Sequence, residues 1–293
     1  MRLKKGITAS ALGLTALFAL TACTDSAETG ASSAPEVNEE ASFPEGSTMA
    51  ELSEAGSITI GTKFDQPLFG LNGPNGPEGF DVEIGKIIAA ELGIAAEDIE
   101  FVETVSANRE PFIESGQVDI VIATYTINDA RKEIVSFAGP YYVAGQDLLV
   151  SAGNPEGIEG PEYFQENPDA KVCTVTGSTS ETNIREYTQS ILTAGTYSEC
   201  LEPLRTGNAV AVTTDNVILA GLADQNQGEF EVVGNPFTEE PYGIGLALED
   251  TEFRNWINDV LEQSYEDGSW EEAWEATAGS VLDTPEPPAV DRY

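Results

Sequence analysis

From residue 58 onward, short apolar runs alternate with stretches in which apolar residues recur every three or four positions. The run 58–61 precedes a helical pattern at 80–92, 99–102 precedes 109–114, and 118–123 precedes 129–133. Short apolar runs suit strands and the 3.6-residue period suits helices, so this rhythm predicts an α/β sheet. After a long extended stretch at 141–151 the rhythm resumes. The run 172–175 leads to a helix starting near Thr179, 209–212 leads to 215–223, and 230–233 closes the set. A second extended segment, 234–248, precedes helical patterns at 253–265 and 270–277. Two β-α sets joined by two extended segments predict two lobes, with the chain crossing twice between them. Loops and helix N-termini from both sides then converge on a cleft suited to a ligand. The expected division is 51–146 plus 240–280 for lobe 1 and 147–239 for lobe 2. The glycine-rich stretch 71–77 lacks the Lys-Ser/Thr of a phosphate loop and reads as a hairpin turn. Trp270 and Trp274, four apart, read as packing residues of the last helix.

The two ends follow other patterns. Arg2, Lys4 and Lys5 precede an apolar run at 7–22, shorter than the roughly 20 residues of a membrane-spanning helix, which predicts a secretory signal peptide over 1–22. The run ends in Leu20-Thr21-Ala22-Cys23, which resembles a bacterial lipobox. Cys23 is then the expected site of lipidation, palmitate included, and anchors the chain on the extracytoplasmic face of the cell membrane. Residues 23–50 have little to bury and read as a flexible tether, and 281–293, with Pro285, Pro287 and Pro288, as a disordered tail. Export implies an oxidising compartment. With Cys23 lipidated, Cys173 and Cys200 form an even pair, and a disulfide between them is expected to contribute about 3.5 kcal/mol.

Charge narrows the function. Against 51 Asp and Glu stand 13 Lys and Arg, a formal −38, which makes nucleic acid a poor partner. The chain has no histidine, which removes the usual neutral-pH proton carrier and a common metal ligand. Neither a metal nor a cofactor is expected. Loss of the signal peptide would take three cations with it. Salt screens repulsion beyond about 8 Å at physiological ionic strength, so such a surface suits a salt-tolerant source.

The motifs carry the chemistry. In order they are Gly61-Thr62-Lys63-Phe64-Asp65-Gln66-Pro67, Gly79-Phe80-Asp81-Val82-Glu83, Ser106-Ala107-Asn108-Arg109 and Val118-Asp119-Ile120. Then come Ala123-Thr124-Tyr125-Thr126-Ile127-Asn128-Asp129-Ala130-Arg131-Lys132, Phe137 with Gly139-Pro140-Tyr141-Tyr142, Val175-Thr176-Gly177-Ser178-Thr179, Thr213-Thr214-Asp215 and Tyr242-Gly243-Ile244. Together they resemble the polar amino-acid binding proteins of ABC importers, solute-binding family 3, and within it the lipid-anchored glutamate-binding branch. The resemblance runs from about Leu52 to Thr277. It implies a type II periplasmic-binding-protein-like fold with two lobes, and a monomer that hands its ligand to permease subunits.

The resemblance also implies roles. Arg131 takes the position that holds the amino acid's α-carboxylate, a task for which planar guanidinium donors are suited. Thr126 and Thr124 add hydroxyls, and Ser178 and Thr179 sit at a helix start whose N–H groups favour an anion. Asp215 matches the acceptor of the α-ammonium. Lys63 and Arg109 match two basic positions that meet a side-chain carboxylate, and Tyr197 matches a wall residue. Burying a carboxylate without a paired cation costs several kcal/mol, so these residues favour L-glutamate or L-aspartate over glutamine. Some binders of acidic residues place a histidine in the pocket, and this chain has none. The alternatives are a glutamine or other polar amino-acid binder, a dehydratase-type enzyme with Asp215 or Glu181 as acid or base, and a sensory module. Viewed alone, Asp215, Thr126 and Thr179 also suit helix caps.

Overall fold

The computed structural model describes residues 34–293. The expected signal peptide at 1–22 and the lipidation site at Cys23 lie outside the described residues. Composition predicts a free tether over 23–50, yet from residue 34 the chain is held. Asn38 N donates to Ala90 O at 2.9 Å, and half-buried Phe43 meets Trp256 edge-on at 5.6 Å. Helix α1 (Thr48–Ala55) begins inside the predicted tether, capped by Ser47, whose hydroxyl accepts from Ala50 N at 3.2 Å. One aromatic anchor and one cap are enough to fix a segment that otherwise lacks apolar residues.

The first pass through lobe 1 comprises β1 (Ile58–Thr62), the short strands β2 (Asp65–Gln66), β3 (Gly70–Gly73) and β4 (Gly76–Glu78), α2 (Phe80–Glu91), β5 (Ile99–Glu103), α3 (Arg109–Glu114), β6 (Ile120–Val121), α4 (Asp129–Lys132) and β7 (Ser136–Ala144). Lobe 2 is continuous in sequence: β8 (Gln146–Ser151), α5 (Tyr163–Glu166), β9 (Val172–Val175), α6 (Thr179–Ile184), β10 (Ile191–Ala194), α7 (Leu201–Arg205), β11 (Ala211–Asp215), α8 (Asn216–Gln225) and β12 (Phe230–Val232). The chain returns to lobe 1 through β13 (Glu240–Leu246), α9 (Thr251–Asp267) and α10 (Ser269–Ala276).

Both lobes use one sheet plan. Lobe 1 has the order β5-β1-β6-β13-β7, and lobe 2 the order β10-β9-β11-β8-β12. In each, three parallel strands are followed by an antiparallel fourth and a fifth antiparallel to it. Parallel strands bring their C-terminal ends to the same side, so β1 and β6 deliver their following loops to the cleft from one lobe, and β9 and β11 from the other. The crossings are Gly145, between β7 and β8, and the segment 233–239. They run side by side: Phe237 N donates to Gln146 O at 2.9 Å, and Gln146 N to Thr238 Oγ1 at 3.0 Å. A Cβ on Gly145 would stand 2.8 Å from Thr238 O, so glycine is what lets the two crossings touch.

Lobe 1 is filled by aromatic rings. Trp270 and Trp274 stack at 6.0 Å, Tyr142 stacks on Trp274 at 5.0 Å, and Phe80 meets both indoles edge-on. Trp270 Nε1 donates to Tyr141 O at 2.9 Å, which satisfies its buried polar end. In lobe 2 the predicted Cys173–Cys200 disulfide forms, tying β9 to the start of α7 with the Cα atoms 5.5 Å apart.

Residues 281–293 depart from the predicted disordered tail. They dock along the free edge of β7, where Asp291 N donates to Gly139 O at 2.8 Å and Phe137 N donates to the Tyr293 hydroxyl at 2.9 Å. The Tyr293 ring lies 4.0 Å from Lys132 Nζ and 4.2 Å from the Arg254 guanidinium, and Arg292 pairs with Asp259 and Glu262. The prolines prevent regular structure in this stretch without preventing docking, because an aromatic ring between two cations supplies the anchor. No helix among the described residues is long and apolar enough to cross a membrane.

Candidate functional site

A small cavity lies between the lobes. Its lobe 1 wall is Ser106, Arg109, Thr124 and Thr126; its lobe 2 wall is Ser178, Thr179, Ser180, Tyr197, Asp215 and Ile218. Arg109 opens α3 and is only 3% exposed. Its Nε donates to Ser106 O at 3.3 Å, its Nη1 to Ala123 O and Thr124 O at 3.2 and 3.3 Å, and its guanidinium lies 4.2 Å from the Tyr125 ring centre. These contacts fix the plane of a buried cation that faces the cavity.

The loop carrying Thr124 and Thr126 is held from below. Thr124 adopts φ 44°, a conformation rarely taken by a residue with a branched Cβ, and its N–H donates to Asp81 Oδ2 at 2.9 Å. Asp81 Oδ1 accepts from Tyr141 OH at 2.6 Å. The Thr124 hydroxyl donates to Gln66 Oε1 at 2.9 Å. Asp81 stands in the first turn of α2, so one buried carboxylate satisfies the strained loop and complements the helix N-terminus.

Across the cleft, Asp215 ends β11 and precedes α8 without capping it. Its Oδ2 accepts from Tyr242 OH of lobe 1 at 2.6 Å, while its Oδ1, also buried, has no hydrogen-bond partner among the described residues. Thr179 is the first residue of α6, and Ser178 is its cap, accepting from Glu181 N at 2.9 Å. The Thr179 hydroxyl donates to Glu240 Oε2 at 2.8 Å and lies 3.4 Å from the Thr126 hydroxyl. Asp215, Thr126 and Thr179, which suit caps when viewed alone, keep their side chains for the cleft, and the helix caps here are Ser178 and Asn128.

Not every predicted site residue lines this cavity. Lys63 is buried just after β1, and its Nζ donates to Ser106 Oγ at 2.9 Å. It therefore stands behind Ser106, whose own proton remains to be donated elsewhere. Arg131 is engaged on three sides: Nη1 donates to Thr126 O at 2.7 Å, Nε pairs with Glu110 at 3.3 Å, and Nη2 donates to Gly177 O at 3.4 Å across the lobes. Thr124, Thr126, Ser178, Thr179, Tyr197, Arg109 and Asp215 do converge on the cavity. Ser106, Ser180 and Ile218 join them although the sequence alone assigns them no role, and Asp81, Glu240 and Tyr242 support the site.

Burial dominates the electrostatics. It pushes the Asp215 carboxyl up to about 7, the Glu240 charge adds to the shift, and the Tyr242 hydroxyl with Arg109 and Arg131 opposes it. Burial also lifts Asp81 to about 7 against its hydrogen bonds from Tyr141 and Thr124. Lys63 is held well below its ordinary range by burial and then by Arg109, and Arg131 is lowered to about 10 by the same two causes. Such a set of buried opposite charges can orient a zwitterion: hydroxyl and guanidinium donors on one side and a carboxylate acceptor on the other. Among the described residues no group of three or more Cys, Asp or Glu could hold a metal ion.

Residues 58–276 match the family described as bacterial extracellular solute-binding proteins, family 3. The glutamate-binding protein GluB of Corynebacterium efficiens is 42% identical over 231 residues, covering 74% of this chain and 77% of that protein. The ABC transporter glutamine-binding protein GlnH of Bacillus subtilis is 35% identical over 276 residues, covering 93% and 96%. Among solved structures, the solute receptor for L-cysteine of Neisseria gonorrhoeae aligns with a TM-score of 0.75 at 30% identity, covering 83% of this chain and 99% of that one.

Proposed function

Since the chain belongs to the bacterial extracellular solute-binding proteins of family 3, we propose that it captures L-glutamate, and also L-aspartate, between its lobes and delivers it to the permease of an ABC importer. The supporting observation is one cavity that holds the buried Arg109 guanidinium on one wall and the unpartnered Asp215 Oδ1 on the other. Asp215 takes the ligand's ammonium. Arg109, with the Ser106 hydroxyl that Lys63 orients, takes the side-chain carboxylate. Arg131 takes the α-carboxylate with Thr126 and the first N–H of α6, and gives up its longest hydrogen bond, to Gly177 O, to do so. Contacts to both lobes at once favour the closed form, which is the form a transporter can distinguish. In this reading the chain binds and does not turn its ligand over, acts as a monomer, and is held at the membrane by a lipid on Cys23, which the mass of the N-terminal peptide measures.

Titration calorimetry with an amino-acid panel tests the assignment. L-glutamate is expected to bind at one per chain and to be recovered unchanged. Arg109→Ala is expected to lose about 2–5 kcal/mol of glutamate affinity, because the ligand carboxylate is left buried without its cation, while glutamine loses less. Unchanged glutamate affinity in that variant rejects the side-chain assignment, and turnover of any ligand rejects binding without catalysis. Glutamine is the second reading. It is favoured by Lys63 standing behind Ser106, which leaves Arg109 as the one cation among the residues lining the cavity. A panel that ranks glutamine above glutamate selects it.

A further inference from the structure

Lobes that close on a small ligand need contacts of their own, and the side chain of Asp65 makes two of them outside the cavity. The lobe 2 turn at 195–200 begins with four successive backbone N–H groups that donate to no backbone carbonyl among the described residues. Glu199, in the same turn, takes the first two, Gly195 N at 2.8 Å and Thr196 N at 3.2 Å. The next two, Tyr197 N at 2.8 Å and Ser198 N at 3.3 Å, donate to Oδ2 of Asp65, on β2 of lobe 1. Asp65 thus caps, from the opposite lobe, the short 3-10 helix Ser198–Cys200 and the α7 helix that continues it. A carboxylate suits that position, since helix N-termini carry partial positive charge.

Two further observations tie this contact to closure. Tyr197 lines the ligand cavity, so the N–H held by Asp65 belongs to the cavity wall, and Cys200 at the other end of the turn is fixed to β9 by the disulfide. The turn therefore has little freedom to follow Asp65 if the lobes part. The neighbouring surfaces are shaped for close approach. A Cβ on Gly221 of α8 would stand 2.5 Å from Pro67 O, two residues along from Asp65.

We propose that Asp65 is the latch of the closed state, a positioning residue that strengthens ligand binding without touching the ligand, and that Gly221 is the seat that lets the lobes meet. The proposal rests on the amino-acid-capture reading. Its test compares the parent with Asp65→Ala, Asp65→Asn and Gly221→Ala by calorimetry with L-glutamate and by small-angle scattering with and without it. Asp65→Ala is expected to weaken glutamate binding about five- to thirtyfold, through faster dissociation, as the loss of one cap implies. Asp65→Asn, which keeps an acceptor oxygen, recovers part of that loss. Gly221→Ala, which leaves every cavity residue in place, reduces the compaction that glutamate induces. Parental affinity and compaction in Asp65→Ala overturn the latch. If the parent ignores every amino acid, the functional reading fails, and scattering alone then judges the latch: Asp65→Ala must expand the ligand-free protein, or the latch fails too.

Discussion

A carboxyl group shut away from water keeps its proton to higher pH, and Asp215 carries that property into ligand capture. Its carboxyl is pushed up to about 7, yet an ammonium ligand needs the ionised form. Amino-acid affinity is therefore expected to fall as pH drops from about 8 to about 5.5, with protons released on binding near neutral pH. Calorimetry in buffers of different ionisation enthalpy measures the release, and Asp215→Asn should abolish it together with most of the binding. The sign for stability is the opposite. Between the usual carboxylate range and about 7 the folded, ligand-free chain binds more protons than the unfolded one at Asp81 and Asp215, so their contribution falls as pH rises through that window. Arg109, Thr126 and Asp215 were legible in the sequence because each stands in a local motif. The supports were not, although Asp81 and Tyr242 lie in motifs of their own. Asp81 meets Tyr141 across 60 residues and Asp215 meets Tyr242 across 27, and local pattern is silent about such pairs.

At the scale of elements, both buried strands and some half-exposed ones are readable from apolar runs, β5 with no buried residue among them. β9 and β11 are buried throughout, while β10 is a half-exposed edge strand whose short Ile191-Leu192 pair stands alone between polar residues and Thr193. The first turn of α1, residues 48–50, falls in the predicted tether because only Met49 of those three residues is buried. The tail departs from expectation for a related reason: its one anchoring ring is Tyr293, whose partners Lys132 and Arg254 are remote in sequence. The disulfide followed from cysteine parity and compartment rather than from any spacing. Its replacement by serines, Cys173→Ser with Cys200→Ser, is expected to lower unfolding free energy by about 3–4 kcal/mol in urea titration. A difference below about 1 kcal/mol would mean that the native contacts around β9 already restrain the turn.

For the molecule as a whole, charge sets the environment. A chain at −38 repels itself, and the cations near the cleft are enclosed rather than distributed over the surface. Its melting temperature is expected to rise between low and high salt, and a flat response by calorimetric scan would contradict the salt-tolerant reading. The two-lobed plan was visible in the β-α rhythm, since two rounds of the pattern need two sheets. Which strand fills which slot was not visible, because sheet order is a long-range property. That order bears on how the protein is made. The lobe 2 sheet has all its strands once Val232 has been delivered, whereas the lobe 1 sheet has a gap between β6 and β7 until β13 arrives. A chain emerging N-terminus first therefore completes its inserted half before its flanking one, and any holding factor that guards nascent chains would find its exposed strand edges in the half made first.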